Sequence, residues 1–100
     1  LYVNQVNLGL DAQQALASLP VGRVREVHLA GFEDKGDYLV DAHNNPVSEQ
    51  VWGIFEGLVT RLPEVAVCVE WDNDIPALAV LLAEAHRASD LIGRAKEDAA

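Results

Sequence analysis

The sequence has little cysteine, few basic residues and no long apolar run, and each shortage excludes a class of protein. One cysteine in 100 residues cannot form an internal disulfide framework and is typical of a reducing compartment, so we expect a cytoplasmic location. Only 7 Lys and Arg stand against 16 Asp and Glu, giving a net charge of −9, which excludes a basic surface for nucleic acid. The longest uncharged apolar run, residues 75–83, is too short to span a membrane.

Motifs that would identify a common catalytic or phosphate-binding site are also missing. The chain contains no G-x-S-x-G, Walker loop, C-x-x-C or H-E-x-x-H, and its 7 glycines are scattered. No glycine-rich loop is therefore available to hold a phosphate group. Methionine is absent even at position 1, and residues 1–3 have the pattern of a strand end with no turn before it. We therefore expect the sequence to be a piece of a longer protein.

An alternation of strands and helices runs through the sequence. Half of the residues are apolar and 23% are charged, as in an ordinary globular domain. The predicted elements, in chain order, are a helix capped by Asp11, a strand over 24–30, a hairpin with a tight turn at 34–37, a helix starting at Asn45 and Pro46, a strand over 65–71, and a helix capped by Asp74. This order predicts right-handed βαβ units around a parallel sheet.

Two or three parallel strands cannot close a sheet on themselves. An α/β barrel needs eight strands and about 250 residues. We therefore predict an α/β fold that forms the C-terminal third of a (βα)8 barrel, with its last two strands, their helices and a hairpin excursion. In this interpretation residues 1–100 are a single partial domain whose tail, residues 94–100, is frayed.

The two longer strands carry their polar residues on one face. Because side chains alternate along a strand, Glu26 and His28 share a face of the first strand, and Cys68, Glu70 and Asp72 share a face at the second. The opposite faces are apolar and are expected to pack on helices. His28 and Glu70 also stand at the C-terminal ends of their strands, where barrel enzymes place their chemistry.

A buried carboxylate must be paired, hydrogen-bonded or bound to metal. His28 or Glu70 alone could belong to an interior salt bridge, but their shared face and shared strand end favour a functional site. Glu26 lies one step deeper and is expected to be a buried partner for a neighbouring strand, and as a functional residue it would orient a ligand from behind. Cys68, flanked by valines, is expected to be an inert core thiol, and His86 a solvated residue of an outer helix.

Asp41 and His43 form a second candidate pair. Residues two apart in an extended segment project to one side, so a carboxylate and an imidazole could reach one first-row metal ion. The sequence that follows, residues 44–46, is typical of a turn. By pattern alone the residues fit a turn aspartate and a surface histidine better than a metal site. Asp72 and Asp74 are explained by helix capping.

Several phrases of the sequence are characteristic in combination. They are Tyr2-Val3-Asn4 followed by Val6-Asn7, Glu26-Val27-His28-Leu29-Ala30-Gly31, Val40-Asp41-Ala42-His43, Pro46-Val47-Ser48 before Val51-Trp52, and Val69-Glu70-Trp71-Asp72-Asn73-Asp74-Ile75-Pro76. With these phrases, residues 1–88 resemble the C-terminal third of the multinuclear non-haem iron-dependent oxidase family. The last phrase and the H-L-A-G phrase are the most specific.

The resemblance implies a xylose-isomerase-like (βα)8 barrel that holds two or three iron ions. Such enzymes use dioxygen to modify cysteine or other residues of a ribosomally made precursor peptide, usually presented by a partner protein. It implies that His28, Asp41, His43 and Glu70 are metal ligands, and we expect Glu26 and Asp72 to lie behind them. The family's other ligands, two histidines, a glutamate and an aspartate, would lie on earlier strands, so the chain alone is expected to be inactive.

The sequence departs from the family at two positions. Phe32 and Leu8 stand where many members have histidine, which predicts a difference in substrate or in the surroundings of the metal.

Two alternative functions remain open for the candidate ligands. A divalent-metal sugar isomerase or epimerase would use similar side chains at the same end of a barrel. A truncated, non-catalytic product would never complete the site.

Overall fold

The computed structural model describes residues 1–99 of the chain, and the side chains of residues 1–98. The helices are α1 (Tyr2–Leu8), α2 (Ala12–Ala17), α3 (Glu49–Val59) and α4 (Leu78–Ala99), and the strands are β1 (Glu26–Ala30), β2 (Glu33–Asp34), β3 (Leu39–Val40) and β4 (Ala66–Glu70). A single turn of 3-10 helix covers Val21–Arg23. The chain is thus a mixed α/β structure with parallel strands, compatible with part of a barrel of the predicted kind.

The parallel pair of β1 and β4 organises the fold. His28 lies opposite Cys68 and Ala30 lies opposite Glu70, so the two predicted polar faces form one continuous surface. The other face is apolar, with Leu29 buried in the core. This arrangement confirms the predicted alternation along both strands. The expectation of an inert core thiol is wrong, because Cys68 follows the polar face and is exposed.

Helices α3 and α4 cover the apolar face of the sheet. Trp52 and Phe55 of α3 are 2% and 1% exposed, with ring centroids 6.2 Å apart in an edge-to-face arrangement. The buried cluster around them consists of Leu29, Val47, Ala88 and Leu91. Burying each aromatic side chain contributes about 1.5–3 kcal/mol, so these two rings hold α3 on the sheet.

An arginine fastens the two covering helices to each other. The Arg87 guanidinium of α4 makes two contacts of 2.7 Å with the Glu49 carboxylate at the start of α3. It also lies 4.8 Å from the centre of the Trp52 ring, where the ring's negative face attracts a cation. The Arg87 hydrogen bond lowers the pKa of the Glu49 carboxyl, and Glu49 raises the pKa of Arg87.

The hairpin excursion between β1 and α3 is confirmed. Strands β2 and β3 pair in antiparallel fashion, with Glu33 opposite Val40. Gly36 adopts φ = 91° in the connecting turn, a conformation that a side chain would disfavour. Its N–H donates to Asp34 Oδ1 over 2.8 Å, and this Asp side chain stabilises the predicted turn.

The start of the chain differs from its prediction. Residues 1–3 open helix α1, not a strand end, and the Gln5 N–H donates to the Leu1 carbonyl over 2.8 Å. No side chain caps this helix, so the sequence lacks the signal by which helix starts are found. The cap predicted at Asp11 is confirmed, since its side chain accepts the Gln14 N–H over 3.1 Å.

Two other helices begin later than predicted. Ser48, not Asn45, caps α3 by accepting the Val51 N–H over 3.3 Å. Helix α4 begins at Leu78 because Asp74 adopts φ = 51°, which cannot begin a right-handed helix. The tail expected to fray is helical through Ala99, and residue 100 lies outside the described residues. Over residues 1–99, no helix has both the length and the apolarity to cross a bilayer.

We predict opposite effects for alanine at two glycines. A side chain at Gly31 would overlap the backbone carbonyl oxygen of Asn45, whereas a side chain at Gly53, within α3, meets nothing within 4 Å. Gly31→Ala should therefore destabilise the protein by about 1–3 kcal/mol, and Gly53→Ala should stabilise it by about 1 kcal/mol through helix propensity. Thermal unfolding of the full-length protein measures both. Equal melting temperatures for the two variants would contradict the close approach at Gly31.

Candidate metal centre

Imidazole and carboxylate groups converge at the C-terminal ends of the two parallel strands. His28 comes from β1 and Glu70 from the last position of β4. Asp41 and His43 come from the segment after β3, and Asp72 follows β4. The parallel register brings the strand ends to one edge of the sheet, and the return of the hairpin brings its two residues to the same edge. Asp41, His43 and Glu70 share this edge as predicted, whereas His28, predicted at the strand end, is the central residue of β1 and joins the group through its contact with Glu70.

The Glu70 carboxylate lies between the two histidines. Its Oε1 is 2.8 Å from His28 Nδ1, and its Oε2 is 2.5 Å from His43 Nδ1. The Glu70 and His43 side chains are 26% and 25% exposed, against 52% for His28. One carboxylate thus links the strand β1 to the segment after the hairpin.

Further carboxylates occupy the remaining sides of both imidazoles. Glu26 Oε1 lies 2.5 Å from His28 Nε2. Asp41 Oδ1 lies 3.0 Å from His43 Nε2, and Asp72 Oδ2 lies 2.8 Å from His43 Nδ1. Every nitrogen of the two rings therefore faces at least one carboxylate oxygen. Glu26 contacts His28 of its own strand and its side chain is 57% exposed, contrary to the expectation of a buried partner for a neighbouring strand.

This arrangement favours positive charge at the centre. The hydrogen bond to Glu26, and then the one to Glu70, raises the pKa of His28. The hydrogen bond to Asp72 raises the pKa of His43 and lowers that of Asp72. Four carboxylates outnumber two imidazoles, so the cluster carries excess negative charge even with both rings protonated, and metal cations in place of those protons would balance more of it.

A metal ion fits the donor set. His43, Glu70 and Asp72 each offer a ligand atom, and these atoms lie within 4.8 Å of one another. Carboxylate with imidazole suits iron, manganese or zinc. Asp72, which was predicted to lie behind the ligands, stands beside His43 and Glu70 within this group. Asp74 is not part of it.

Backbone contacts hold His43 in an unusual conformation. Its φ of 51° lies in the left-handed region, which costs about 1–3 kcal/mol for a residue with a side chain. The His43 carbonyl accepts the N–H groups of Asp72 and Asn73 over 2.8 and 3.3 Å, and Asn73 Nδ2 donates to the Ala42 carbonyl over 3.1 Å. These bonds join the histidine segment to the end of β4 and offset the strain.

Asn7 is a positioning residue that no pattern in the sequence indicated. Its side-chain Nδ2 donates to the Leu39 carbonyl, and its Oδ1 accepts the Leu39 N–H, both over 2.8 Å. The amide thus satisfies both backbone groups of a β3 residue, as a neighbouring strand would, and ties α1 to the strand that leads into Asp41. Asn7 stands in a phrase that carried the family resemblance, but nothing local indicated its distant partner.

The other singled-out residues lie around the centre or away from it. Cys68 shares the polar face, directly opposite His28 in the register. His86 is exposed on α4, as predicted, and Leu8 is 69% exposed at the end of α1. Phe32 packs against Tyr2, with ring centroids 5.6 Å apart.

The fold and this centre define a class, an α/β protein with a cluster of carboxylates and imidazoles that can hold metal. Residues 1–93 match the family described as RiPP precursor modification enzyme MbnB/TglH/ChrH, where RiPP denotes a ribosomally synthesised and post-translationally modified peptide. The chain belongs to this family, and the resemblance seen in the sequence is thereby confirmed.

Similar proteins are known from several bacteria. UPF0276 proteins are 42% identical in Chromobacterium violaceum and 43% identical in Acaryochloris marina, over 97% and 88% of the chain. A third, from Vibrio parahaemolyticus, is 40% identical over 94% of it. The matches cover 35%, 32% and 34% of those proteins, so the chain spans about a third of the length of these relatives.

We predict that replacing Asn7 loosens the hairpin and, through it, the segment of Asp41 and His43. Asn7→Ala removes both hydrogen bonds to Leu39 and leaves the backbone N–H and C=O of Leu39 without these partners. The free energy of unfolding should fall by about 1–3 kcal/mol. Hydrogen exchange of the Leu39 amide in the full-length protein should become at least tenfold faster. Asn4→Ala, on the same helix, is the control. Unchanged exchange of the Leu39 amide in Asn7→Ala would show that the two Asn7 hydrogen bonds do not hold the hairpin.

Proposed function

We propose that the chain supplies metal ligands to a multinuclear iron oxidase that uses dioxygen to modify cysteine or other residues of a ribosomally made precursor peptide. A partner protein presents the peptide. The observation that carries the proposal is the position of the Glu70 carboxylate between His28 and His43, in a chain of a peptide-modifying family. A carboxylate shared by two imidazoles would hold metal together with both rings.

The proposed ligands are His28, Asp41, His43 and Glu70, with Asp72 available beside them. Two or three iron ions, when bound, would pass electrons from the peptide to dioxygen. The imidazoles and carboxylates would fix the ions and balance their charge. Glu26, within hydrogen-bonding distance of His28 Nε2, would keep a proton on that nitrogen and leave Nδ1 free to bind metal. Neutral histidine is required for ligation, so metal binding would release protons.

The proposed setting is the last third of a xylose-isomerase-like (βα)8 barrel. Strands β1 and β4 pair only with each other within residues 1–99, so each keeps an edge that a further strand could join. Their polar face, with the metal ligands at its C-terminal end, would line the barrel interior. The centre would then lie at the end where barrel enzymes carry their active sites.

Replacing the ligands tests the metal centre. In the full-length protein, His28→Ala, Asp41→Ala, His43→Ala and Glu70→Ala should each lower iron affinity at least about tenfold, because even residues behind the ligands change affinity by that much. Elemental analysis after dialysis against ferrous iron measures the bound metal. Glu64→Ala is the control, since its carboxylate is 87% exposed and pairs with Lys96, away from the centre. Unchanged iron content in all four variants would refute the ligand assignment.

We also predict that the 100-residue chain has no oxidase activity by itself. The four proposed ligands cannot fill the coordination of two or three irons and still leave positions for substrate and dioxygen. The chain and the full-length protein would be loaded with ferrous iron anaerobically and then given dioxygen and a cysteine-bearing precursor peptide. Peptide mass would change with the full-length protein only. Comparable turnover by the chain would contradict the partial-barrel proposal.

The same assay separates the proposal from a sugar isomerase or epimerase. An oxidase needs iron and dioxygen, whereas an isomerase would work anaerobically with magnesium or manganese. Peptide modification that requires iron and dioxygen is the expected result. Aldose–ketose interconversion without dioxygen would favour the alternative.

A further inference from the structure

The turn that follows β4 holds His43 by its ring and by its backbone. The His43 Nδ1 atom lies 2.5 Å from Glu70 Oε2 and 2.8 Å from Asp72 Oδ2. The His43 carbonyl accepts the N–H groups of Asp72 and Asn73 over 2.8 and 3.3 Å, and Asn73 Nδ2 donates to the Ala42 carbonyl over 3.1 Å. Residues of one turn thus contact the imidazole and the carbonyl groups on both sides of it.

Asn73 is bonded to both peptide groups that flank the His43 Cα atom. The Ala42 carbonyl belongs to the planar group before this atom, and the His43 carbonyl belongs to the planar group after it. The rotations of these two groups about the Cα atom are the angles φ and ψ. Because Asn73 donates to both carbonyls, it restrains the two angles that set the direction of the His43 side chain.

Other hydrogen bonds anchor the segment on each side of His43. The Ala42 N–H donates to the Val40 carbonyl over 2.8 Å, and Asn45 Nδ2 donates to the Phe32 carbonyl over 2.8 Å. Between these anchors His43 has φ = 51°, a left-handed conformation that is unfavourable for a residue with a side chain. Contacts at this residue must therefore maintain it, and the turn after β4 supplies them.

We propose that Asn73 is a positioning residue, whose side-chain amide keeps His43 left-handed and thereby aims the imidazole at Glu70. The inference rests on the proposed function, because it takes this imidazole as a metal ligand. An amide suits the task, since its nitrogen donates a hydrogen bond without adding a charge, whereas a carboxylate in the same place could only accept one. A strand added beside β4, which ends at Glu70, would pair with β4 and leave the Asn73 bonds in place.

The test compares two substitutions of Asn73 in the full-length protein stripped of metal with a chelator. Asn73→Asp keeps the size of the side chain and replaces the donating nitrogen with an oxygen, and Asn73→Ala removes the bond to the Ala42 carbonyl altogether. Crystal structures of the metal-free variants report the conformation of His43. In both variants its φ should become negative, and its imidazole should leave hydrogen-bonding distance of Glu70. Asn73→Ala provides the test if Asn73→Asp does not fold.

A titration with Mn²⁺ measures the consequence for metal binding. The sharp EPR signal of free Mn²⁺ reports the unbound ion, and the concentration at half-saturation should rise at least about tenfold in both variants, as when a residue that orients a metal ligand is lost. The additional negative charge in Asn73→Asp would by itself strengthen cation binding, so a weaker affinity there reports the displaced histidine. Gln50→Glu, which adds the same charge at an exposed position of α3, is the control and should leave the affinity unchanged.

The outcomes separate this inference from the proposed function. A positive φ at His43 in either folded variant, with the imidazole still beside Glu70, would overturn the positioning role, whatever the affinity for Mn²⁺. A displaced His43 with unchanged Mn²⁺ binding would count against His43 as a ligand, and so against the proposed function, while the positioning role would stand. Neither measurement involves dioxygen or a peptide, so both results are independent of the oxidase chemistry.

Discussion

The parallel register of β1 and β4 is the constraint on which the centre depends. With His28 opposite Cys68, the next inward-facing residue of β4 is Glu70, and its carboxylate reaches the imidazole. A slip of one residue would turn Val69 or Trp71 toward His28 and send the glutamate into the helices. Such a slip of β4 is opposed by the core, because Val67 and Val69 would then lose their contacts with the buried cluster.

Asp41 and His43 are positioned by long-range contacts and not by regular secondary structure. Asp41 and His43 lie in a segment without regular structure, where no helix or sheet fixes the backbone. Three distant contacts replace it: the Asn7 side chain on Leu39, the Asp72 and Asn73 N–H groups on the His43 carbonyl, and the close approach of Asn45 to Gly31. A ligand on a loop is thereby held by the same elements that carry the ligands on strands.

This difference explains which parts of the centre could be predicted from the sequence. His28 and Glu70 were accessible because a strand has a period of two residues and an apolar face that must be buried. Asp41 and His43 were not accessible from pattern, since the bonds that place them come from residues about 30 positions away. The family resemblance, and not the local sequence, indicated that pair.

The same reasoning applies to the elements that were predicted wrongly. Helix α1 lacks a capping side chain, and its position is fixed by packing and by the Asn7 bonds. Asp74 has the composition of a helix cap, but its carbonyl accepts the Trp71 indole N–H over 3.2 Å and its backbone is left-handed. At α1 no capping signal marked the helix start, and at Asp74 the indole contact and the left-handed backbone outweighed the capping preference of aspartate.

Exposed surfaces away from the metal ligands also favour the proposed barrel. Ile75 and Leu78, before and at the start of α4, are 60% and 68% exposed, and the polar face with His28 and Cys68 is open on the other side of the sheet. Exposing two large apolar side chains to water near one helix end is unfavourable in free energy. In the proposed barrel, further strands beside β1 and β4 would enclose the polar face, and the helices that accompany those strands would offer apolar surface to the start of α4. Closing the sheet in this way would leave the C-terminal rim, where Glu70 ends β4, as the mouth of the barrel interior.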